Sequence, residues 1–346
     1  MRAAVGGVMD PALKMDLSAA GMLKSVAADE ATGRVSVEVE LTTPACPWKQ
    51  TIAEAVQKAV AAVVGVTALD LKLTAGAARG RPNNPSNARL PGVRNIIAVA
   101  AGKGGVGKST VTTNLAAALA ATGARVGVLD ADVYGPSIPQ MLGQPEKMAV
   151  TETGNKIVPA VHYGMKVISI GFFVERGGAV IWRGPMVHKL LQQFIEDVDW
   201  GELDYLLVDL PPGTGDAQLS LSQLLPITGA VMVTTPQEVS IIDVEKALGM
   251  WKRVEVPVLG VVENMSGFVC PSCGHHEEIF LAGGGRKLAE REGFPFLGSI
   301  PLQGAVSRGG DAGKPVVIAD PSSQVARTFA GIAETVACAL SVRNTP

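Results

Sequence analysis

Residues 96–110 read IIAVAAGKGGVGKST, an apolar run that breaks into a glycine-rich loop and reopens as a helical pattern. The run Ile96–Ala101 suits a strand buried on both faces. The stretch Thr110–Ala121 continues with helical spacing. Between them, Gly102-x4-Gly107-Lys108-Ser109 has the spacing of a phosphate-binding loop, in the strand–loop–helix context that the motif requires. Glycines let backbone N–H groups close around phosphate oxygens, and the helix N-terminus adds a favourable dipole. The candidate nucleotide-binding residues are therefore Gly102, Lys103, Gly104, Gly105, Val106, Gly107, Lys108, Ser109 and Thr110. In such a loop Lys108 contacts the β- and γ-phosphates and Ser109 holds Mg²⁺.

Outward from the loop, short apolar runs alternate with helical patterns. The runs are Val126–Asp130, Val167–Ile170, Tyr205–Asp209, Ala230–Thr234, Val258–Glu263 and Phe296–Ile300. This texture predicts an α/β fold whose mostly parallel sheet is covered by helices on both faces. Two runs end in acid, at Asp130-Ala131-Asp132 and at Asp209. Ligands of open α/β sheets bind beyond the carboxyl ends of strands, so these carboxylates should face the phosphates. Asp209 is the candidate for the Mg²⁺ shell, and Asp132 the candidate for orienting the attacking water. The stretch DLPPGTGD (209–216) combines fixed and free backbone angles, which suits a loop that senses the γ-phosphate.

Residues 1–75 have a different texture. Asp16–Met22 is expected to form a helix and turn, Arg34–Leu41 and Val66–Leu73 alternate as strands, and Pro47–Ala62 has helical spacing. A small α+β domain accounts for this pattern. Residues 76–94, rich in Gly, Pro, Asn and Arg, read as a linker, which leaves 95–346 for the nucleotide-binding domain. A net charge of −2 offers no positive field for nucleic acid, and we expect no nucleic-acid partner. No apolar run reaches the roughly 18–20 residues of a membrane span, and no secretory leader is evident. A cytoplasmic protein without a membrane partner is the expectation.

Four cysteines complete the inventory, two of them in Cys270-Pro271-Ser272-Cys273 after the run Val258–Glu263. Two thiolates at this spacing bind one face of a metal and cannot complete a tetrahedral set alone. A dithiol redox pair, a zinc site recruiting His275 or His276, and a site shared across a two-fold axis all remain open. Four thiolates from two chains would match the number a [4Fe–4S] cluster takes. Cys46 lies between Pro44 and Pro47 in an expected turn, and Cys338 falls in the apolar helical run Val325–Leu340, where packing is its expected use.

The blocks GKGGVGKST, DADVYGPSIP (130–139), WRGPM (182–186), DYLLVDLPPGTGD (204–216) and VENMSGFVCPSCG (262–274) together resemble the Mrp/ApbC-type iron–sulfur cluster carrier ATPases. These belong to the deviant Walker-A group that includes MinD and ParA. The first 75 residues, with TTPACP at 42–47, resemble the small domain of iron–sulfur assembly proteins. The resemblance implies an ATPase that forms a homodimer and in which Lys103 reaches the partner's ATP. It implies that Asn264 reads the adenine base, and that Cys270 and Cys273 hold a labile [4Fe–4S] cluster at the dimer interface. Cluster-assembly scaffolds and recipient apoproteins would be its partners, and Cys46 would be a functional thiol, an ordinary small buried residue being the equal alternative. The competing class is a nucleotide-switched spatial regulator of the MinD/ParA kind with a structural zinc or an idle CxxC. The tail GIAETVACALSVRNTP lacks the basic amphipathic face that membrane-bound members need.

Overall fold

Strict alternation and unbroken apolar runs sort the strands into sheets of different character. The computed structural model describes residues 1–81, 90–143, 156–173, 184–213, 216–270 and 272–345. These form two compact units, Met1–Arg79 with Ala337–Pro346, and Gly80–Val336. The end of the chain, grouped on sequence with the nucleotide-binding domain, thus belongs to the first unit. Trp182 and Arg183, Thr214 and Gly215, Pro271 and much of the expected linker lie outside the described residues.

In the first unit, β1 (Met9–Asp10) and β2 (Met15–Asp16) form a short ladder. Strands β3 (Leu23–Asp29), β4 (Arg34–Leu41) and β5 (Ala68–Ala75) form a sheet in that order. The alternation in β4 buries Val35, Val37, Val39 and Leu41 on one face. Helix Lys49–Ala61 meets them with Ile52, Val56 and Val60, one residue per turn. The helix expected over Asp16–Met22 is absent: β2 ends at Asp16 and turns follow. The Asp16 carboxylate accepts the Ala19 N–H at 2.7 Å, a local bond that competes with helix formation.

The second unit contains β6 (Val93–Ala101), β7 (Val126–Asp130), β8 (Ala160–His162), β9 (Met165–Ser169) and β10 (Leu203–Asp209). It continues with β11 (Gly229–Thr234), β12 (Val258–Val269), β13 (His276–Glu277) and β14 (Phe296–Leu302). The sheet order is β13-β12-β11-β6-β10-β7-β9-β8, with β14 beside β12. Pairing is parallel except for β8 on β9 and β13 on β12. Every residue of β7, β10 and β11 is buried, which is why these runs lack polar alternation.

Both faces of the sheet are covered. On β6, Ile96, Ala98 and Ala100 join one apolar cluster, which includes Ile241, Val244, Leu248 and Trp251 of the helix Glu238–Arg253. Ile97, Val99 and Ala101 point the other way and are equally buried. Helix Lys108–Ala121 packs against β6, β7 and β10 and is buried from Val111 to Leu119, where its alanines allow close approach.

Parallel pairing carries the strand ends to one edge. Asp209 lies beside Asp130, and Glu263 beside Thr234, so the loop after Ala101 and both acidic segments share that edge. Among the described residues, helix Gln324–Asn344, which contains the apolar run Val325–Leu340, is by length and composition apolar enough to span a bilayer, where no run of that length is expected from the sequence. Half of its apolar window is buried within the chain, and Val325, Phe329, Ile332, Val336 and Leu340 form its inward stripe. Core packing accounts for that hydropathy.

Leu207 on β10 is fully buried, so Leu207→Ala should cost about 2–5 kcal/mol. Val161→Ala, at a site 64% exposed, should stay within about 0.5 kcal/mol. Urea denaturation of the second unit's transition measures both.

Candidate functional site

The loop after β6 is shaped by what its glycines exclude. A methyl at Gly102 would come within 2.3 Å of the Asp243 carbonyl carbon, so only glycine lets the loop lie on helix Glu238–Arg253. Gly107 caps helix Lys108–Ala121 at φ +83°, and a methyl there would sit 2.2 Å from Asn264 Nδ2. That amide instead donates to the Val106 carbonyl at 2.8 Å and pins the loop to β12. At Gly105, with φ +80°, a methyl would meet nothing within 4 Å. The loop is held from below at both ends and open above Gly105, an arrangement suited to backbone capture of phosphate.

Beneath it, Asp209 has no solvent exposure, and both of its carboxylate oxygens are engaged. Oδ2 accepts the Ser109 hydroxyl at 2.6 Å and the Lys108 ammonium at 2.8 Å, and Oδ1 accepts the Thr112 hydroxyl at 2.6 Å. Burial of so many polar groups is tolerable because these bonds are charge-assisted. A hydroxyl and a carboxylate in contact are hard oxygen donors, and Ser109 with Asp209 fits Mg²⁺.

The other two carboxylates divide by accessibility. Asp130 is fully buried, and its carboxyl accepts from the Ser169 hydroxyl at 2.8 Å and from the Asp132 and Ile138 N–H groups at 3.2 and 3.3 Å. Burial, reinforced by the charge of Asp209, pushes the Asp130 carboxyl up to about 8. Asp132 retains 9% exposure and lies 3.8 Å from Lys108 Nζ, so it alone of the three can meet solvent. Lys103 is half-buried and has no ion pair among the described residues.

A cavity of about 400 Å³ opens beside the loop, lined by Gly107, Thr110, Asn264, Pro301, Leu302 and Val306 among others. Its walls are largely apolar, and Asn264 keeps one N–H and its amide oxygen for a ligand.

Beyond Asn264, β12 runs on to pair with β13, Val269 facing His276. The connecting turn is the Cys270–Cys273 segment. Its backbone closes through Cys270 N–H to the His275 carbonyl at 2.9 Å and Gly274 N–H to the Cys270 carbonyl at 2.8 Å. The N–H groups of Cys273 and then Ser272 face the Cys270 sulfur and hold its thiol below the usual range. Cys270 is half-buried and Cys273 exposed. Among the described residues no three His, Cys, Asp or Glu side chains gather closely enough to hold a metal. The His276 ring lies instead over Gly267, where a methyl would be 2.9 Å from Nε2.

In the first unit, Cys46 packs half-buried against the core. Cys338 is also half-buried, its thiol pushed up by burial and by Asp10. Thr112, Ser169 and the wall at 301–306 escaped the sequence reading. Thr112 carried a signal, lying one helical turn after Lys108, whereas nothing local marks Ser169 or Pro301.

Residues 92–337 match the family described as NUBPL iron-transfer P-loop NTPase, and residues 1–71 match the iron–sulfur cluster assembly protein family. The chain belongs to the iron-transfer P-loop NTPases. A relative in Deinococcus radiodurans, named iron–sulfur cluster carrier protein, is 49% identical over 342 residues, 99% of this chain and 95% of that one. Among solved structures, an Archaeoglobus fulgidus nucleotide-binding protein in complex with ADP is 39% identical, with TM-score 0.61. It covers 72% of this iron-transfer NTPase and 97% of its own chain is matched. The Pyrococcus furiosus cell division ATPase MinD is 25% identical, with TM-score 0.52 over 70% of this chain and 98% of that one.

Gly105 and Gly107 share a left-handed backbone, but only Gly107 adds a collision with Asn264. Gly105→Ala should cost about 1–2 kcal/mol of strain. Gly107→Ala should cost more and weaken nucleotide binding at least about tenfold, a loss of about 1.4 kcal/mol, in calorimetric titration with ADP.

Proposed function

We propose that this chain is an ATP-hydrolysing carrier that holds a [4Fe–4S] cluster as cargo and passes it to recipient apoproteins. The observation that carries the reading is the turn at Cys270. It presents two thiols side by side, one held below the usual range, with no third ligand gathered from the described residues. A dithiol so built is half of a cluster site, and a second copy of the chain supplies the other half. The deeply matched carrier family supports the same cargo. A nucleotide-switched spatial regulator would leave this turn without a use.

The phosphate loop supplies the energy-coupled step. Backbone N–H groups of Gly104 to Thr110 and the Lys108 ammonium bind the triphosphate, and the adenine lies in the cavity against Asn264. Mg²⁺ held by Ser109 and Asp209 would neutralise charge on the phosphates. Asp132, the accessible carboxylate of the strand ends, orients the attacking water. Lys103, half-buried and without an ion pair among the described residues, serves the partner's nucleotide and makes turnover depend on the homodimer. The cluster arrives from an assembly scaffold. No disulfide joins the four cysteines among the described residues, which suits the cytoplasm.

Anaerobic reconstitution of the Cys270→Ala/Cys273→Ala variant should leave iron and sulfide at background. Full cluster content in that variant would refute the site. Lys103→Ala should bind ATP normally yet lose about 10³-fold or more in turnover, as for a cation supplied in trans. Wild-type turnover would refute the cross-dimer role.

A further inference from the structure

Glu263 is fully buried, and neither the nucleotide site nor the dithiol turn uses its carboxylate. Oε1 accepts the Ser266 hydroxyl at 2.6 Å and the Gly283 N–H at 2.9 Å, and Oε2 accepts the Gly285 N–H at 2.6 Å. Ser266 stands on the outgoing side of the excursion that carries Cys270 and Cys273, and Gly283 and Gly285 stand on its return. One side chain therefore closes the base of the dithiol hairpin.

The same base touches the nucleotide site. Asn264, the next residue, is bonded to the Val106 carbonyl of the phosphate loop, and Met265 lines the adjoining cavity. Both roots of the hairpin hold non-glycine residues in the left-handed region, Met265 at φ +57° and Leu281 at φ +68°. L side chains avoid that conformation, and it persists only where the surroundings enforce it. The Glu263 clasp joins the chain just before the first of these strained positions to the chain just after the second.

We infer that Glu263 is a positioning residue that makes the dithiol hairpin respond to the bound nucleotide; this rests on the reading of Cys270 and Cys273 as the cluster site. A ligand that shifts Asn264 or Met265 moves a backbone whose return strand is tied to the same carboxylate. Both sides of the hairpin then move together, and the thiols with them. With the clasp loosened, the outgoing root yields alone and the shift is lost in the loop. All three partners are donors, so Glu263→Gln sets an amide N–H₂ against an N–H or O–H with little change in volume.

The test is the iodoacetamide alkylation rate of Cys270 and Cys273 in full-length, reduced, cluster-free protein. It is measured with Mg²⁺ and either ADP or a non-hydrolysable ATP analogue. In the wild type the two rates should differ at least about fivefold, the lower end of ordinary site–site coupling. In Glu263→Gln the ratio should fall to about one while both nucleotides still bind. If that variant does not fold, Ser266→Ala, which removes one donor, should give an intermediate ratio. Rates insensitive to nucleotide in the wild type, or an unchanged ratio in whichever variant folds, overturn the inference. Iron and sulfide content after reconstitution separates the two claims. A wild type that takes no cluster fails as a carrier, whereas one that takes a cluster but ignores nucleotide fails only here.

Discussion

Asp209 is a carboxylate without solvent contact, and the geometry of the nucleotide site depends on how its charge is met. Lys108, Ser109 and, one turn on, Thr112 reach it from the start of one helix. That is feasible only if the helix begins where the glycine loop ends and packs along the strand that carries Asp209. Removing one donor would leave a buried charge partly unpaired, which is costlier than losing an ordinary contact. Asp130, its neighbour across the ladder, has its carboxyl pushed up to about 8 by burial and by the charge of Asp209, and three donors meet it.

The strand β12 links the two chemistries of the molecule. Its buried half ends at Asn264, which steadies the phosphate loop, and its overhanging half ends beside Cys270. Nucleotide and dithiol are separated along the chain by a few residues of continuous strand and hairpin. The backbone between them is strained at Met265 and closed by Glu263. Coupling between the sites therefore needs no long chain of side-chain contacts, only a hairpin whose two roots move as one body.

The fold was legible where burial governs composition. Val126–Asp130 and Arg34–Leu41 are strands at their expected bounds, one buried on both faces and the other on alternate residues. The strand–loop–helix course around Gly102–Gly107 was equally legible, because glycine spacing encodes backbone conformation directly. Asp16–Met22 misled, since a single aspartate turned the chain through a local bond that periodicity does not register. The strand β12 proved longer than its apolar run because its overhang pairs with β13 rather than entering the core. Glu263 and the cavity wall at Pro301 were invisible for a related reason: their partners are distant in sequence or are backbone groups, which leave no residue pattern.

The central claim is that two copies of the dithiol turn share one cluster. Sedimentation velocity of the anaerobically reconstituted protein, followed at both protein and visible cluster absorbance, tests it most directly. The account predicts that the visible absorbance sediments with a dimer carrying about one [4Fe–4S] cluster per two chains. Visible absorbance sedimenting with the monomer, or a colourless dimer containing zinc, would contradict it.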